Sequence, residues 1–298
     1  MSLQDRLHGI FPPVITNFDA AGEIAPVQFR ENLRRWVETP IDGIVLFGSN
    51  GEGALLDEDE KRKLTTFARE VVPAGYLLIA GASGESTRAT IRQSRELAAA
   101  GADAVLVHPP AYFGPYLSVA ALMDHFRAVA DAAPVPVILY HIPKYTKVTL
   151  EPGFVAELVR HPNVAGLKDS SGDIRRFADY TKACDSTCRL FIGNGSLLYT
   201  ALELGAAGGI LGVANIAPSL CAEVLRNFRE GRAREAGSAQ ERLTPLHREI
   251  VAAHGAVGCK TALDLLGWAG GASRAPLRPL GDRERQNVAR VMQEAGLL

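Results

Sequence analysis

Lys168 closes the apolar run Val164-Ala165-Gly166-Leu167 and is followed at once by Asp169-Ser170-Ser171-Gly172-Asp173. An ammonium at the end of a short buried strand is costly to desolvate, and a lowered pKa is one remedy. A lysine held neutral in this way is an amine nucleophile that can form a Schiff base with a carbonyl compound. Spacing alone is served as well by a strand-end lysine reaching water, so the surroundings decide. Tyr140 ends the preceding apolar run, Val135-Pro136-Val137-Ile138-Leu139. It is a candidate acid/base for the proton transfers that carbinolamine formation and dehydration require. Ser49, in Gly48-Ser49-Asn50-Gly51-Glu52, can pass a proton or bind a carboxylate. The backbone amides of Ser49 and Asn50, flanked by Gly48 and Gly51, suit an anion. Taken alone, Ser49 reads as a turn residue and Tyr140 as an aromatic plug; beside Lys168 they read as a site. Glu52 reads as a tie for its loop, His108 and His141 as packing or hydrogen-bonding residues. Asp169 and Asp173 either tune the lysine or face solvent.

These residues need a scaffold that brings strand ends together. Short apolar runs of β type recur at roughly 25 to 35 residues, with helical periodicity between them. They are Gly9 to Thr16, Gly43 to Phe47, Tyr76 to Ala80, Ala104 to Val107, Val135 to Tyr140, Val164 to Leu167, Arg189 to Ile192 and Gly209 to Val213. Continuous rather than alternating apolar runs suit strands buried on both faces of a parallel sheet. Helices are expected at Arg88 to Ala100 and at Pro152 to Val159, the latter entered through Thr149. Gly101-Ala102-Asp103 and Gly205-Ala206-Ala207-Gly208 punctuate the returns to strand. Strand and helix alternating eight times predict a (β/α)8 TIM barrel of the α/β class over residues 1–230. An open doubly wound sheet is the alternative, but no GxGxxG follows the first strand. After Asn215 the pattern is helical, with segments at Ser219 to Arg229, Arg234 to His254, Cys259 to Leu265 and Arg283 to Ala295. Residues 231–298 are therefore read as a C-terminal helical extension packed on the barrel.

Composition narrows the function classes. The 298 residues are 47% hydrophobic and 22% charged, with a formal net charge of −1. That balance gives no reason to expect nucleic acid or an anionic membrane as partner. No apolar stretch is long enough to span a bilayer, and the start, Met1 to Arg6, carries no secretory pattern, so a cytoplasmic protein is expected. Cys184, Cys188, Cys221 and Cys259 form no CxxC pair and no zinc spacing, so no metal is expected. A metal-dependent barrel hydrolase would need more strand-end ligands than His108 and His141.

Gly48-Ser49-Asn50-Gly51-Glu52, Pro110-Ala111-Tyr112, Tyr140-x-x-Pro143 and Lys168-Asp169, in this order and at barrel period, resemble the dihydrodipicolinate synthase/N-acetylneuraminate lyase family. The resemblance runs through essentially the entire chain. It implies a class I, metal-independent aldolase or lyase that takes pyruvate as donor through a lysine imine and needs no cofactor. It makes Lys168 the Schiff-base lysine, Tyr140 the proton shuttle and Ser49 the replacement for the first threonine of a GTTGE-like motif. Tyr112 becomes the tyrosine donated across a dimer interface, and Gly193 and Ile210 line the pyruvate pocket. A homotetramer, built as a dimer of dimers, is the implied assembly.

Two departures bear on specificity. Tyr145 stands where the synthases carry an arginine for the second substrate's carboxylate, and a phenol cannot replace a bidentate guanidinium. Asn50 stands where they carry threonine. The SNGE turn, the run Lys168 to Asp173 and the late Gly270-Gly271-Ala272-Ser273-Arg274-Ala275-Pro276-Leu277 resemble 4-hydroxy-2-oxoglutarate aldolase more closely. Cleavage of that substrate to pyruvate and glyoxylate is the expected activity. The alternatives are condensation of pyruvate with aspartate semialdehyde, and a non-catalytic 2-oxo-acid-binding protein on the same scaffold. The small aldehyde or 2-oxo acid is expected to be read by Asn50, Gly51, Tyr145, Asn194 and Asn215.

Overall fold

Eight parallel strands form one sheet: β1 (Gly9–Phe11), β2 (Gly43–Leu46), β3 (Leu77–Gly81), β4 (Ala104–Val107), β5 (Val137–His141), β6 (Val164–Asp169), β7 (Arg189–Ile192) and β8 (Gly208–Ile210). The computed structural model describes residues 3–185 and 187–298, so Met1 and Ser2 of the start read above lie outside it. β2 to β8 pair in sequence order, and β8 pairs with β1. The remaining seam, β1 to β2, is closed by a parallel bridge between Pro13 and Val45, with Val14 N–H donating to Val45 O at 2.9 Å. The chain is a (β/α)8 TIM barrel with a helical C-terminal part.

Side chains alternate between the two faces of each strand. Phe11, Val45, Leu77, Ile79, Leu106, Ile138, Tyr140, Phe191 and Ile210 fill the interior with Leu7. The Phe11 and Phe191 rings meet edge to face at 5.6 Å. Ile44, Leu46, Leu78, Val105, Leu139 and Leu167 turn outward under the helices. Burial on both faces explains why these strands read as unbroken apolar runs.

Several boundaries differ from the sequence reading. β1 stops at Phe11 because Pro12 and Pro13 have no N–H for the ladder. β6 runs two residues further than expected, through Lys168 and Asp169, because Tyr140 and His141 pair with them in register. The run after β8 breaks into a 3-10 turn, Gly212–Asn215. The helix Pro152–Leu158 is entered through Glu151 rather than Thr149, with proline preset at its first turn. The helix Thr87–Ala99 is capped by Ser86, whose Oγ accepts from Ala89 N at 3.1 Å.

Beyond Pro218–Arg229 come Ala233–Pro245, a π-helical stretch Leu246–Ala252, Ala253–Leu265 and Asp282–Glu294. Gly255, at φ 57° and ψ −134°, breaks the helical run there, a conformation glycine adopts without steric cost. Among the described residues no helix is long and apolar enough to cross a membrane.

Candidate active site

The turn after β2 begins the site. Phe47 and Glu52 both take left-handed backbone conformations, at φ 59° and 53°. Gly53 must be glycine, since a Cβ there would collide with the Phe47 carbonyl. Gly51 N donates to Gly48 O at 2.9 Å and Glu52 N to Ser49 O at 3.2 Å. Among the described residues the amides of Ser49 and Asn50 find no acceptor, which leaves two N–H groups at the head of a tight turn for an anion.

That turn borders a cavity of about 690 Å³ at the C-terminal ends of the strands. Ser49, Tyr140 and Tyr145 line it, together with Ser83, Glu85, His108, Ala111 and Lys144. The segment Ala252 to Val257 and Pro276-Leu277 close it from the C-terminal part. Lys168 is 3% exposed and does not itself line the cavity; its Nζ lies 4.0 Å from the centroid of the ring of Tyr140, which does. Among the described residues it has no ion-pair partner. The Lys168 amine thus packs on one face of the Tyr140 ring, and Tyr140 meets the cavity as well. His108 stands 6.4 Å from Tyr140, centroid to centroid. Burial lowers its pKa below the ordinary histidine value, keeping the ring neutral. Tyr145 is 56% exposed; partial burial, and then the neighbouring Tyr140, raise its phenol pKa.

The other sequence-derived candidates lie elsewhere. Asn50 turns from the cavity and donates from Nδ2 to Cys259 Sγ at 3.3 Å. Gly51 is buried, its carbonyl accepting from Thr16 Oγ1 at 2.7 Å. Ile210 is fully buried inside the barrel. Gly193 N donates to Asp169 O at 2.7 Å, and a Cβ there would collide with Ser170 Oγ. Tyr112 is 78% exposed and stacks edge to face on Phe113 at 5.0 Å. Its loop is pinned by Glu85, whose carboxylate accepts from Ala111 N and Tyr112 N at 2.9 Å each. Asn194 accepts from Ser196 N, and Asn215 stitches Pro13 O, Gly212 O and Ile15 N together. Asn194 and Asn215 therefore hold backbone, where the sequence reading made them candidates for recognising the aldehyde.

Ser83, Glu85, the segment 252–257 and Lys61 are wall residues that the sequence reading does not include, and Lys61 is the one with an unusual charge. Lys61 is 8% exposed and lines the cavity with no ion pair among the described residues. Burial holds its pKa below the ordinary lysine value, against the pull of Glu58 and Asp57. The unfolded chain then binds that proton more tightly, and stability rises with pH up to the unfolded value. Lys61→Met is expected to raise Tm at neutral pH by about 2 °C, roughly 1 kcal/mol in a chain of this size. The gain should vanish as pH passes the unfolded lysine value of 10.5. Calorimetry across that range checks it; a Met variant less stable at pH 7 would show that Glu58 and Asp57 fully compensate the charge.

The dihydrodipicolinate synthetase family model matches residues 6–295. The chain belongs to that family of lyases. It is 32% identical to a 4-hydroxy-tetrahydrodipicolinate synthase of Acidiphilium cryptum, over 98% of this chain and 99% of the relative. It is 34% identical to an uncharacterized DapA-like lyase of Halobacterium salinarum, over 98% and 95%. Among solved structures it is similar to YagE, a prophage protein of E. coli K12 determined in complex with pyruvate. That likeness has a TM-score of 0.92 and 26% identity, over 98% of this chain and 99% of the other.

Proposed function

We propose that this chain is a Schiff-base-forming, pyruvate-dependent aldolase that cleaves 4-hydroxy-2-oxoglutarate, or a related 2-oxo acid, to pyruvate and an aldehyde. The observation that carries the reading is Lys168, 3% exposed, with its amine 4.0 Å from the ring of Tyr140, which lines the cavity. The pyruvate complex of the similar YagE supports the donor. Lys168 Nζ adds to the C2 ketone, and loss of water leaves a protonated imine. The electrons of the C3–C4 bond flow into that imine as the C4 hydroxyl gives up its proton and the aldehyde leaves. The enamine takes a proton at C3, and hydrolysis returns pyruvate and the free amine. Tyr140 and Ser49, both on the cavity wall, move these protons. The free Ser49 and Asn50 amides receive the carboxylate. The imine is the electron sink, so the chemistry needs no cofactor.

Tyr145 supports cleavage over condensation with aspartate semialdehyde. It lines the cavity where a synthase carries its arginine, and Lys144, 5.5 Å from the Tyr145 ring centroid, offers one ammonium and no fork. The exposed Tyr112, Phe113 and Tyr116 suit burial against a second copy, in keeping with the homotetramer and with Tyr112 entering a neighbouring site.

Treatment with pyruvate and borohydride, followed by peptide mass spectrometry, tests the reading. One reduced pyruvyl group on Lys168 is expected, with glyoxylate formed from 4-hydroxy-2-oxoglutarate. A folded protein that traps nothing would leave only an oxo-acid-binding scaffold. Tyr140→Phe is expected to lower kcat by about 10²- to 10⁴-fold, the range for loss of a general acid/base. Trapping on Lys168 should persist at a slower rate. A variant with unchanged kcat would hand the proton role to another group.

A further inference from the structure

Directly behind Tyr140 and Lys168, on the outer face of the same two strands, lies a polar pair that touches no part of the cavity. The register that sets Tyr140 opposite Lys168 also sets His141 opposite Asp169. Both are fully buried, with His141 Nδ1 2.8 Å from Asp169 Oδ1. Asp169 accepts further from Ser171 N at 3.0 Å and Ser171 Oγ at 2.9 Å. Tyr180, on the helix Ile174–Ala183, stands with its hydroxyl 3.1 Å from His141 Nδ1 and gives its proton to Leu150 O. A phenol has one proton to give, so at His141 Tyr180 can only accept. Nδ1 therefore carries the imidazole proton and shares it between Asp169 and Tyr180. Nε2 is buried with no hydrogen-bond partner among the described residues.

Packing alone gives no reason for this arrangement. A buried carboxylate and a half-satisfied imidazole stabilise a core no better than apolar side chains of similar volume. At the same level on β7, the residue opposite Asp169 is the apolar, fully buried Ile192. Polar side chains occupy this outer level on the two strands that carry Tyr140 and Lys168. Strand ends are also where pairing frays most readily. The Lys168 amine sits at the end of four methylenes, so any rotation of the β6 end is magnified at Nζ.

We propose that His141 and Asp169 are positioning residues: a clamp between β5 and β6 that fixes the Lys168 amine against Tyr140. The helix Ile174–Ala183, through Tyr180, anchors the clamp to the outer layer. This rests on the Schiff-base reading above, and its test separates the two.

The Nδ2 of asparagine lies at the same remove from the backbone as histidine Nδ1, so His141→Asn keeps a donor toward Asp169 and His141→Leu removes it. Both variants are trapped with pyruvate and borohydride well below their own Tm, alongside the wild type. His141→Leu is expected to form the Lys168 imine about 10²-fold more slowly, the scale for a misplacement near 1 Å. The pyruvate concentration that half-saturates trapping should stay near that of the wild type, because the turn proposed to bind the carboxylate follows β2, away from the clamp. His141→Asn should regain most of the rate. A His141→Leu variant that traps at the wild-type rate overturns the clamp. So does an Asn variant as slow as Leu while equally well folded. Absence of trapping in the wild type would instead overturn the Schiff-base reading itself.

Discussion

Lys168→Ala is expected to abolish turnover and borohydride trapping together while leaving the fold intact. Removing a nucleophile already held beside its target forfeits the advantage of an intramolecular reaction, ~10⁵-fold or more. No other amine of the cavity can stand in. Lys61 and Lys144 line the wall, but neither is placed against the Tyr140 ring as Lys168 is. Stability should change little, because the alanine strands no buried charge: Lys168 has no ion pair among the described residues, and only its contact with the Tyr140 ring is lost. The residual rate with saturating 4-hydroxy-2-oxoglutarate, read beside the circular dichroism of the variant, checks both halves. Turnover retained within tenfold would place the electron sink elsewhere.

The scaffold was legible because its signals are local. Apolar runs between glycine-marked returns identify strands buried on both faces, and eight of them leave few ways to close a sheet. The catalytic candidates followed, because the residue after an apolar run in such a barrel stands at the active end. What failed was anything set by pairing across the sheet or by the direction of a side chain. β6 reaches Asp169 only because β5 offers Tyr140 and His141 as partners, and no property of the run Val164 to Leu167 announces that. Asn50 and Ser49 are adjacent in the same turn, yet Ser49 faces the cavity while Asn50 bonds Cys259.

Lys61 lay in the run Glu58-Asp59-Glu60-Lys61-Arg62-Lys63, whose charge reads as a solvated helix face. The missed signal was periodicity: Lys61, Leu64, Thr65 and Ala68 are the buried residues of that helix, spaced as one stripe. The cavity wall from Ala252 to Val257 was hidden for a different reason. A π-helical stretch and Gly255 interrupt the α-helix there, and no residue of Leu246-His247-Arg248-Glu249-Ile250-Val251-Ala252 marks the change of period.

The same C-terminal part holds the turn after β2 in place, and the second large effect is expected there. Glu52 and Lys260 form an ion pair with side chains 1% and 2% exposed. Lys260 Nζ also donates to Ala272 O at 2.6 Å, and Glu52 accepts from Arg274 N at 2.8 Å. Arg274 in turn grips both carboxylate oxygens of Glu60 and the carbonyls of Gly22 and Leu55. The Phe18 ring packs against both cations, its centroid 4.6 Å from Lys260 Nζ and 4.4 Å from Arg274 Cζ. Lys260→Met leaves Glu52 charged, buried and without its cation, a change that costs about 3–5 kcal/mol and about 10 °C in Tm at this chain length. Adding Glu52→Gln removes the stranded charge, so the double variant should recover part of the loss rather than compound it. Activity should fall in the single variant well below its Tm, since Glu52 ends the turn that presents Ser49. A double-mutant cycle by calorimetry decides the matter: additive losses would mean that the two side chains are neighbours without being coupled.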